Sequence, residues 1–241
     1  MFLSKKSVIT FTLGLVSPGL GHLYRGNTQV FLFLQLTSIA IILLFFWSRF
    51  ALQPLGIIAL VITLLFINIA SAIWAVYSNF EQPPLYQLNF FALPSLFLAL
   101  VLTLYFYRED ALGIGLYHIP SASMQPTLKT GDIIIVDTWA YRSANAKQDE
   151  VILFKKSIQN KRIYVKRIEK TKFNSTSNQT SYFVVGDNKK RSSDSRHFGW
   201  VAHSNVIGKV SGILLTLQNN EINFERSHTF NKEPMITTLN N

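Results

Sequence analysis

Three long stretches carry no charged side chain: Val30 to Trp47, Pro54 to Tyr77 and Leu88 to Tyr107. Each approaches or reaches the length that crosses a hydrocarbon core of about 30 Å. In lipid the backbone N–H and C=O groups find no water, so apolar segments of this length are expected as helices. Trp47, Trp74, Tyr77, Tyr105 and Tyr107 fall near their ends, where amphipathic rings suit either the membrane interface or packing within a bundle. Gln35 and Asn68 are expected to hydrogen-bond between helices rather than to mark a transport path.

Charge divides the chain near Tyr107. The protein has 23 Lys and Arg against 13 Asp and Glu, a net charge of +10. Up to Tyr107 only Glu81, Lys5, Lys6, Arg25 and Arg49 are charged, so the back portion, with 19 basic and 12 acidic residues, carries +7 of that charge. No basic repeat interleaved with aromatics and no zinc-ligand spacing accompanies it, so no nucleic acid partner is expected, and a tethered basic domain meets the lipid bilayer first. The absence of cysteine excludes disulfides, thiol catalysis and thiolate metal ligands.

Loop charge sets the orientation. With three crossings, Lys5, Lys6 and Arg25 stay cytoplasmic, the connection Ser78 to Gln87 has no Lys or Arg and returns to that side, and the back domain emerges outside. Arg49 and Arg108 then fall on the outer side. Val8 to Val16 is apolar but ends at Ser17-Pro18-Gly19-Leu20-Gly21-His22 without a small-x-small cleavage site. It reads as a short interfacial or re-entrant helix rather than a cleaved leader. A fourth crossing there, with the back domain still outside, would export Lys5 and Lys6.

From Ile114 the pattern changes to short runs rich in Ile, Val, Phe and Tyr between polar turns, which predicts a mostly β domain. Strands are expected at Ile133 to Val136, Val151 to Phe154, Ile163 to Ile168, Tyr182 to Val185 and Val206 to Leu217. Lys170 to Ser181, rich in Asn, Ser and Thr, reads as an exposed hairpin connection. The polar tail from Glu221 is expected to be disordered past Phe230.

Pro120-Ser121-Ala122-Ser123-Met124-Gln125-Pro126-Thr127-Leu128 sets a serine between prolines just after the apolar segments. A serine hydroxyl needs a neighbouring base to become a nucleophile. The five histidines are poorly placed for that: His22 lies in the apolar half, His118 just before the serine, His197 and His203 in a polar loop, and His228 in the tail. Lysine serves if burial lowers its pKa. In the strand Ile163 to Ile168, alternation puts Lys166 on the face of Tyr164 and Ile168 and Arg167 on the other. Lys155, Lys156, Lys189 and Lys190 sit in solvated charge runs.

These segments, with Gly131-Asp132, Val136, Tyr141, Tyr164-x-Lys166-Arg167 and Gly186-Asp187-Asn188 followed by Ser192, Asp194, Ser195, Arg196 and Gly199, resemble in order the type I signal peptidases. That family comprises membrane-bound serine-lysine endopeptidases that remove signal peptides from exported proteins. The resemblance runs from about Ile119 to Val210. It implies Ser123 as nucleophile and Lys166 as general base, with the Ser121 hydroxyl and the Ser123 backbone N–H as the oxyanion hole. Ser192 would orient Lys166 by a hydrogen bond, Asp194 and Arg196 would pair to brace their loop, Tyr164 would wall the pocket, and Met124 would lie toward the membrane-facing rim. No metal or cofactor is implied. The implied partners are signal peptides of secreted preproteins, the bilayer and the protein-export machinery, and the implied location is the inner or plasma membrane, multi-pass, with the catalytic domain on the extracytoplasmic (periplasmic) side.

The expected organisation is a cytoplasmic N-terminus with a re-entrant segment (1–27), three transmembrane helices (28–107), a β-rich peptidase domain (108–220) and a tail (221–241). The fold class is thus a transmembrane α-helical region plus a mostly β catalytic domain of the signal-peptidase type. The chain also departs from the family. Ile168-Glu169-Lys170-Thr171-Lys172 replaces the usual Val-Gly-x-Pro-Gly-Asp, so the turn beneath the substrate groove is expected to differ. Lys189 stands where arginine is common, the short span from Lys166 to Gly186 leaves no room for a large inserted subdomain, and three crossings exceed the usual one or two. These departures keep open a specialised peptidase for one pilin or effector precursor, and, outside catalysis, a membrane scaffold that binds exported chains. Ser17 to Tyr24 resembles a Gly-rich signature of small bacterial membrane domains; by itself it reads as a tight helical hairpin.

Overall fold

The computed structural model describes residues 4–78, 87–156, 162–175, 178–218 and 221–230. It forms two compact units, one helical up to Leu112 and one built on strands from Gly113 onward. Most of the connection Ser78 to Gln87 and the tail past Phe230 lie outside the described residues.

The helical unit begins with α1 (Lys5–Val16), capped by Ser4, whose hydroxyl accepts the Ser7 N–H. The chain turns through Ser17-Pro18-Gly19 into the short α2 (Leu20–Tyr24). Asn27 then caps α3 (Thr28–Trp47), and α4 (Pro54–Tyr77), α5 (Gln87–Phe106) and α6 (Arg108–Ala111) follow. α3 and α4 are long and apolar enough to span a membrane, and the described apolar stretch of α5 is Phe91–Phe106. Phe33, Leu36, Leu44, Leu55, Ile62 and Phe66 project outward, as expected where lipid rather than protein covers a helix.

Polar groups hold the Pro-Gly turn in place. Gln35 Nε2 donates to Ser17 Oγ (2.6 Å) and the Pro18 carbonyl (3.0 Å), Asn68 Nδ2 donates to the Leu15 carbonyl (3.0 Å), and Ser71 Oγ accepts the Gly19 N–H (3.1 Å). Gln35 and Asn68, both within apolar segments, therefore bond between helices, satisfying backbone groups that the turn leaves free. Leu20, Leu23 and Phe31 form the core of this unit.

In the β unit, β1 (Ile114–His118), β2 (Asp132–Asp137), β3 (Val151–Lys155), β4 (Ile163–Asn174), β5 (Gln179–Val185), the one-turn α7 (Ser195–Phe198), β6 (Val201–Ala202) and β7 (Val206–Gln218) succeed one another. β8 (Glu221–Asn223) and β9 (His228–Thr229) close the described chain. The strands pair antiparallel in the order β1-β2-β7-β3-β4-β5-β6, with β8 and β9 also on β7. β3 is apolar at successive positions because it is covered on both faces: Val151 and Leu153 join one core with Ile134, Val136, Val210 and Ile213, while Ile152 and Phe154 join another with Ile168, Tyr182 and Val184.

One expectation of the strand pattern is corrected. Lys170 to Ser181 is mostly strand rather than an exposed connection: β4 runs on to Asn174 and pairs with β5 through a register shift between Ile168 and Lys170. The ladder supplies the backbone hydrogen bonds, so the polar side chains need only face water, and no Gly or Pro interrupts the strand. The tail contributes structure up to Phe230, where β8 and β9 lie on β7 and Arg226 reaches the fully buried Asp132 at 3.0 Å.

Gly131 immediately precedes β2 with φ +94°, and a Cβ there would stand 2.2 Å from the Leu217 carbonyl oxygen. Gly131→Ala is therefore expected to lower the unfolding free energy of the detergent-solubilised protein by on the order of 2 kcal/mol, read as a lower thermal midpoint.

Candidate active site

The loop between β1 and β2 carries Ser121 and Ser123, and its apolar residues anchor it. Met124 and Leu128 are buried in the core with Ile119, and the Leu128 N–H bonds the Met124 carbonyl at 2.8 Å. Met124 thus fills the core instead of facing a membrane rim: its flexible thioether chain gains more from burial there than it would at the surface. Ser123, next to this anchor, stays partly exposed.

Lys166 comes from β4, opposite Ile152 of β3. Its neighbours on one face, Tyr164 and Ile168, lead into the core of Ile152, Phe154, Tyr182 and Val184, and Lys166 itself is only 3% exposed. Its Nζ lies 2.7 Å from Ser123 Oγ. As an ammonium it donates that hydrogen bond; as an amine it accepts the serine proton. Burial drives the Lys166 pKa down and outweighs the pull upward by Asp194 and Asp187.

Ser121 Oγ stands 3.4 Å from Ser123 Oγ. Tyr164 stacks on Phe154 and leans on Phe198, with ring centroids 5.8 and 6.4 Å away. Gly186 closes the back of the site: a Cβ there would meet Ser192 Oγ at 2.2 Å and the Ser123 carbonyl oxygen at 2.5 Å. Ser192 Oγ is buried beside Gly186 and close enough to Asp194 to help hold that carboxyl down. It has no hydrogen bond of good geometry among the described residues, so the bond to Lys166 is not made.

Asp194 is fully buried and accepts from Arg196 Nε and Nη2 (both 2.8 Å), the Arg196 N–H (3.3 Å) and the Gly186 N–H (2.9 Å). Burial works to raise its pKa, but Arg196 and the Gly186 N–H overcome this and hold it well below the usual carboxylate range. The Asp194 and Arg196 pairing is thus made, and it ties the α7 loop to Gly186.

Sequence reasoning assigned no role to a second pair. Arg167 grips Asp187 through both Nε (2.9 Å) and Nη2 (2.8 Å), and also donates to the Asp149 carbonyl and to Thr127 Oγ1. Adjacent Asn188 bonds the serine loop, its N–H to the Ser123 carbonyl (3.1 Å) and its Nδ2 to the Ala122 carbonyl (3.2 Å). The signal was present as an arginine beside the lysine and an Asp-Asn pair after a glycine, but partners distant in sequence cannot be matched from composition.

Two measurements probe these electrostatics. Lys166→Met should stabilise the protein at pH 7 by on the order of 1 kcal/mol, because it removes an ammonium that is costly to bury. The unfolded lysine keeps its proton up to about 10.5, so the wild type gains stability as pH rises from the folded pKa to that value, and the gap between the two proteins narrows. Asp194 has the opposite sense: its stabilisation is complete above the unfolded carboxyl pKa of 3.8 and is lost as pH falls toward the depressed folded value. Melting temperatures should therefore owe no pH dependence to this group above about pH 5 and should fall below it for the wild type, and the fall should be shallower for Asp194→Asn.

Comparison with known proteins gives the family of the chain. The chain is 27% identical over 120 residues to the mitochondrial inner membrane protease subunit 2 of Saccharomyces cerevisiae, an alignment covering 42% of this chain and 68% of that protein. A family model described as signal peptidase, peptidase S26 matches residues 89–171 and 168–215, together more than half of the chain. With the serine, the buried lysine and their bracing loops all inside that match, the chain belongs to the signal peptidase family S26.

Proposed function

We propose that this protein is a membrane-bound endopeptidase that cuts N-terminal signal peptides from exported proteins through a dyad of Ser123 and Lys166. The observation that carries this reading is the 2.7 Å contact between Ser123 Oγ and a lysine amine buried to 3% exposure. Neutral Lys166 takes the hydroxyl proton as Ser123 Oγ attacks the scissile carbonyl carbon. The developing oxyanion meets the Ser123 N–H and the Ser121 hydroxyl. Lys166 then passes its proton to the departing amine, leaving an acyl-enzyme ester. Water attacks the ester and gives a proton to Lys166, which hands it to the departing Ser123 Oγ as the C–O ester bond breaks, so that the serine hydroxyl and the neutral amine are regenerated and the product carboxyl is released.

Ser192, buried beside Gly186, orients Lys166. Tyr164 walls the lysine side, and the Arg196 and Asp194 pair keeps the loop rigid. α3, α4 and α5 cross the bilayer with Lys5, Lys6 and Arg25 inside, which brings the β unit to the extracytoplasmic face, where the export machinery delivers its substrates. The reaction draws on no metal or cofactor.

A narrower substrate range is favoured by one observation: β4 continues to Asn174 where the family usually turns, which alters the floor on which a substrate strand would rest. Cleavage of several unrelated precursors by the purified protein distinguishes the two, since a specialist accepts one.

Ser123→Ala and Lys166→Ala should each lower precursor cleavage by at least about a thousandfold with melting preserved, as read by amino-terminal sequencing of products. Retained cleavage in either would exclude the dyad, as a scaffold without activity would leave precursors intact in the wild type. Because Lys166 must be neutral, kcat/KM should rise with pH and level off below the ordinary lysine pKa.

A further inference from the structure

We infer that Asn188 is a positioning residue for the oxyanion hole, which it serves by holding the Ala122–Ser123 peptide in one orientation. The inference rests on the reading of Ser123 as nucleophile. The Ala122 carbonyl and the Ser123 N–H belong to the same peptide unit. That unit is planar and trans, so the carbonyl and the N–H point in opposite directions, and whatever pins the carbonyl also aims the N–H.

The pin is Asn188 Nδ2, which donates to the Ala122 oxygen at 3.2 Å. The next carbonyl, that of Ser123, accepts the Asn188 N–H at 3.1 Å. One residue thus holds the peptide units on both sides of the nucleophile. The Ala122 oxygen also accepts the Gln125 N–H at 3.3 Å, but Gln125 lies on the same loop and turns with it. Asn188 is the tie from outside.

The N–H it aims is unspent. Ser123 N–H donates to no group among the described residues, in a loop where the Gln125, Leu128 and Gly131 N–H groups all find carbonyls. A donor left open beside a nucleophile costs free energy unless a ligand or solvent uses it. A carbonyl that accepts two hydrogen bonds also polarises its peptide, which makes the N–H on the far side a better donor.

Asn188 is itself held from three directions. Its carbonyl accepts the Arg191 N–H at 3.0 Å. The preceding Asp187 is gripped by Arg167, which follows Lys166 on β4. Before that, the Gly186 N–H is bonded to Asp194. The base and the oxyanion donor therefore share one frame: β4 carries Lys166 directly, and through Arg167, Asp187 and Asn188 it fixes the peptide that carries the donor.

The test compares wild type, Ser123→Ala, Asn188→Leu and Asn188→Asp in full-length detergent-solubilised protein with a signal-peptide substrate. Leucine keeps the shape of asparagine without the donor, and aspartate keeps the size. Asn188→Leu should lower kcat by about 10- to 100-fold, with KM and the pH at half-maximal kcat unchanged. The affinity for a peptide boronate that forms a tetrahedral adduct on Ser123 should fall by the same factor as kcat/KM. An undiminished kcat overturns the inference, and so does a shifted pH profile, which would make Asn188 act through Lys166. Misfolding of both variants, judged by melting, also overturns it in favour of a structural role. If Ser123→Ala still cleaves, the dyad reading itself fails, which is a different result from an active wild type, an inactive Ser123→Ala and an unimpaired Asn188→Leu.

Discussion

An amine loses hydration when it is taken out of water, and the loss bears on the charged form far more than on the neutral one. Lys166 is set in that condition by β3, β4 and β5, whose apolar residues Ile152, Phe154, Ile168 and Val184 form the core that its face adjoins. Two carboxylates nearby pull the other way. Each is engaged in a two-point grip by an arginine, Asp194 by Arg196 and Asp187 by Arg167. A carboxylate paired with its own guanidinium offers less field to a third group, so both pairs leave burial in control of the lysine. That explains why a site with so many charges can hold a depressed amine pKa.

The serine loop is held by a different kind of force. Met124 and Leu128 sink into the core, where their burial supplies the anchoring free energy. Directional bonds then set the fine geometry: Asn188 on the Ala122 and Ser123 carbonyls, Arg167 on Thr127, and Arg226 on both the Thr127 carbonyl and Asp132. The contacts from Arg226 draw in a part of the chain that looks featureless in sequence. Non-directional packing chooses where the loop goes, and hydrogen bonds choose which way its peptides face.

The helical unit follows the same division of labour under different solvent. Its outer faces are largely apolar, and Gln35, Asn68 and Ser71 turn to Ser17, Pro18, Gly19 and Leu15. The Gly-rich run therefore has a structural occupation as a hairpin whose free backbone groups are met by Gln35, Asn68 and Ser71. In the β unit, the family's usual Gly- and Pro-containing turn is replaced by residues that tolerate a strand, and β4 accordingly keeps its ladder to Asn174.

By itself the sequence determined the helical character of the apolar stretches, the β pattern after Ile114 and the family, because hydropathy period and ordered motifs are local properties. It also singled out Ser123 and Lys166, since alternation along a strand is enough to put Lys166 on an apolar face. Only the tertiary structure decided the rest. That Met124 is a core anchor, that 170–174 pairs instead of looping out, that Arg226 meets Asp132 and that Asn188 holds the serine peptide all depend on groups tens of residues apart. Hydrogen bonds and ion pairs are short-ranged and directional, so which distant side chain meets which carbonyl is settled by the folded packing and leaves no periodic trace along the chain.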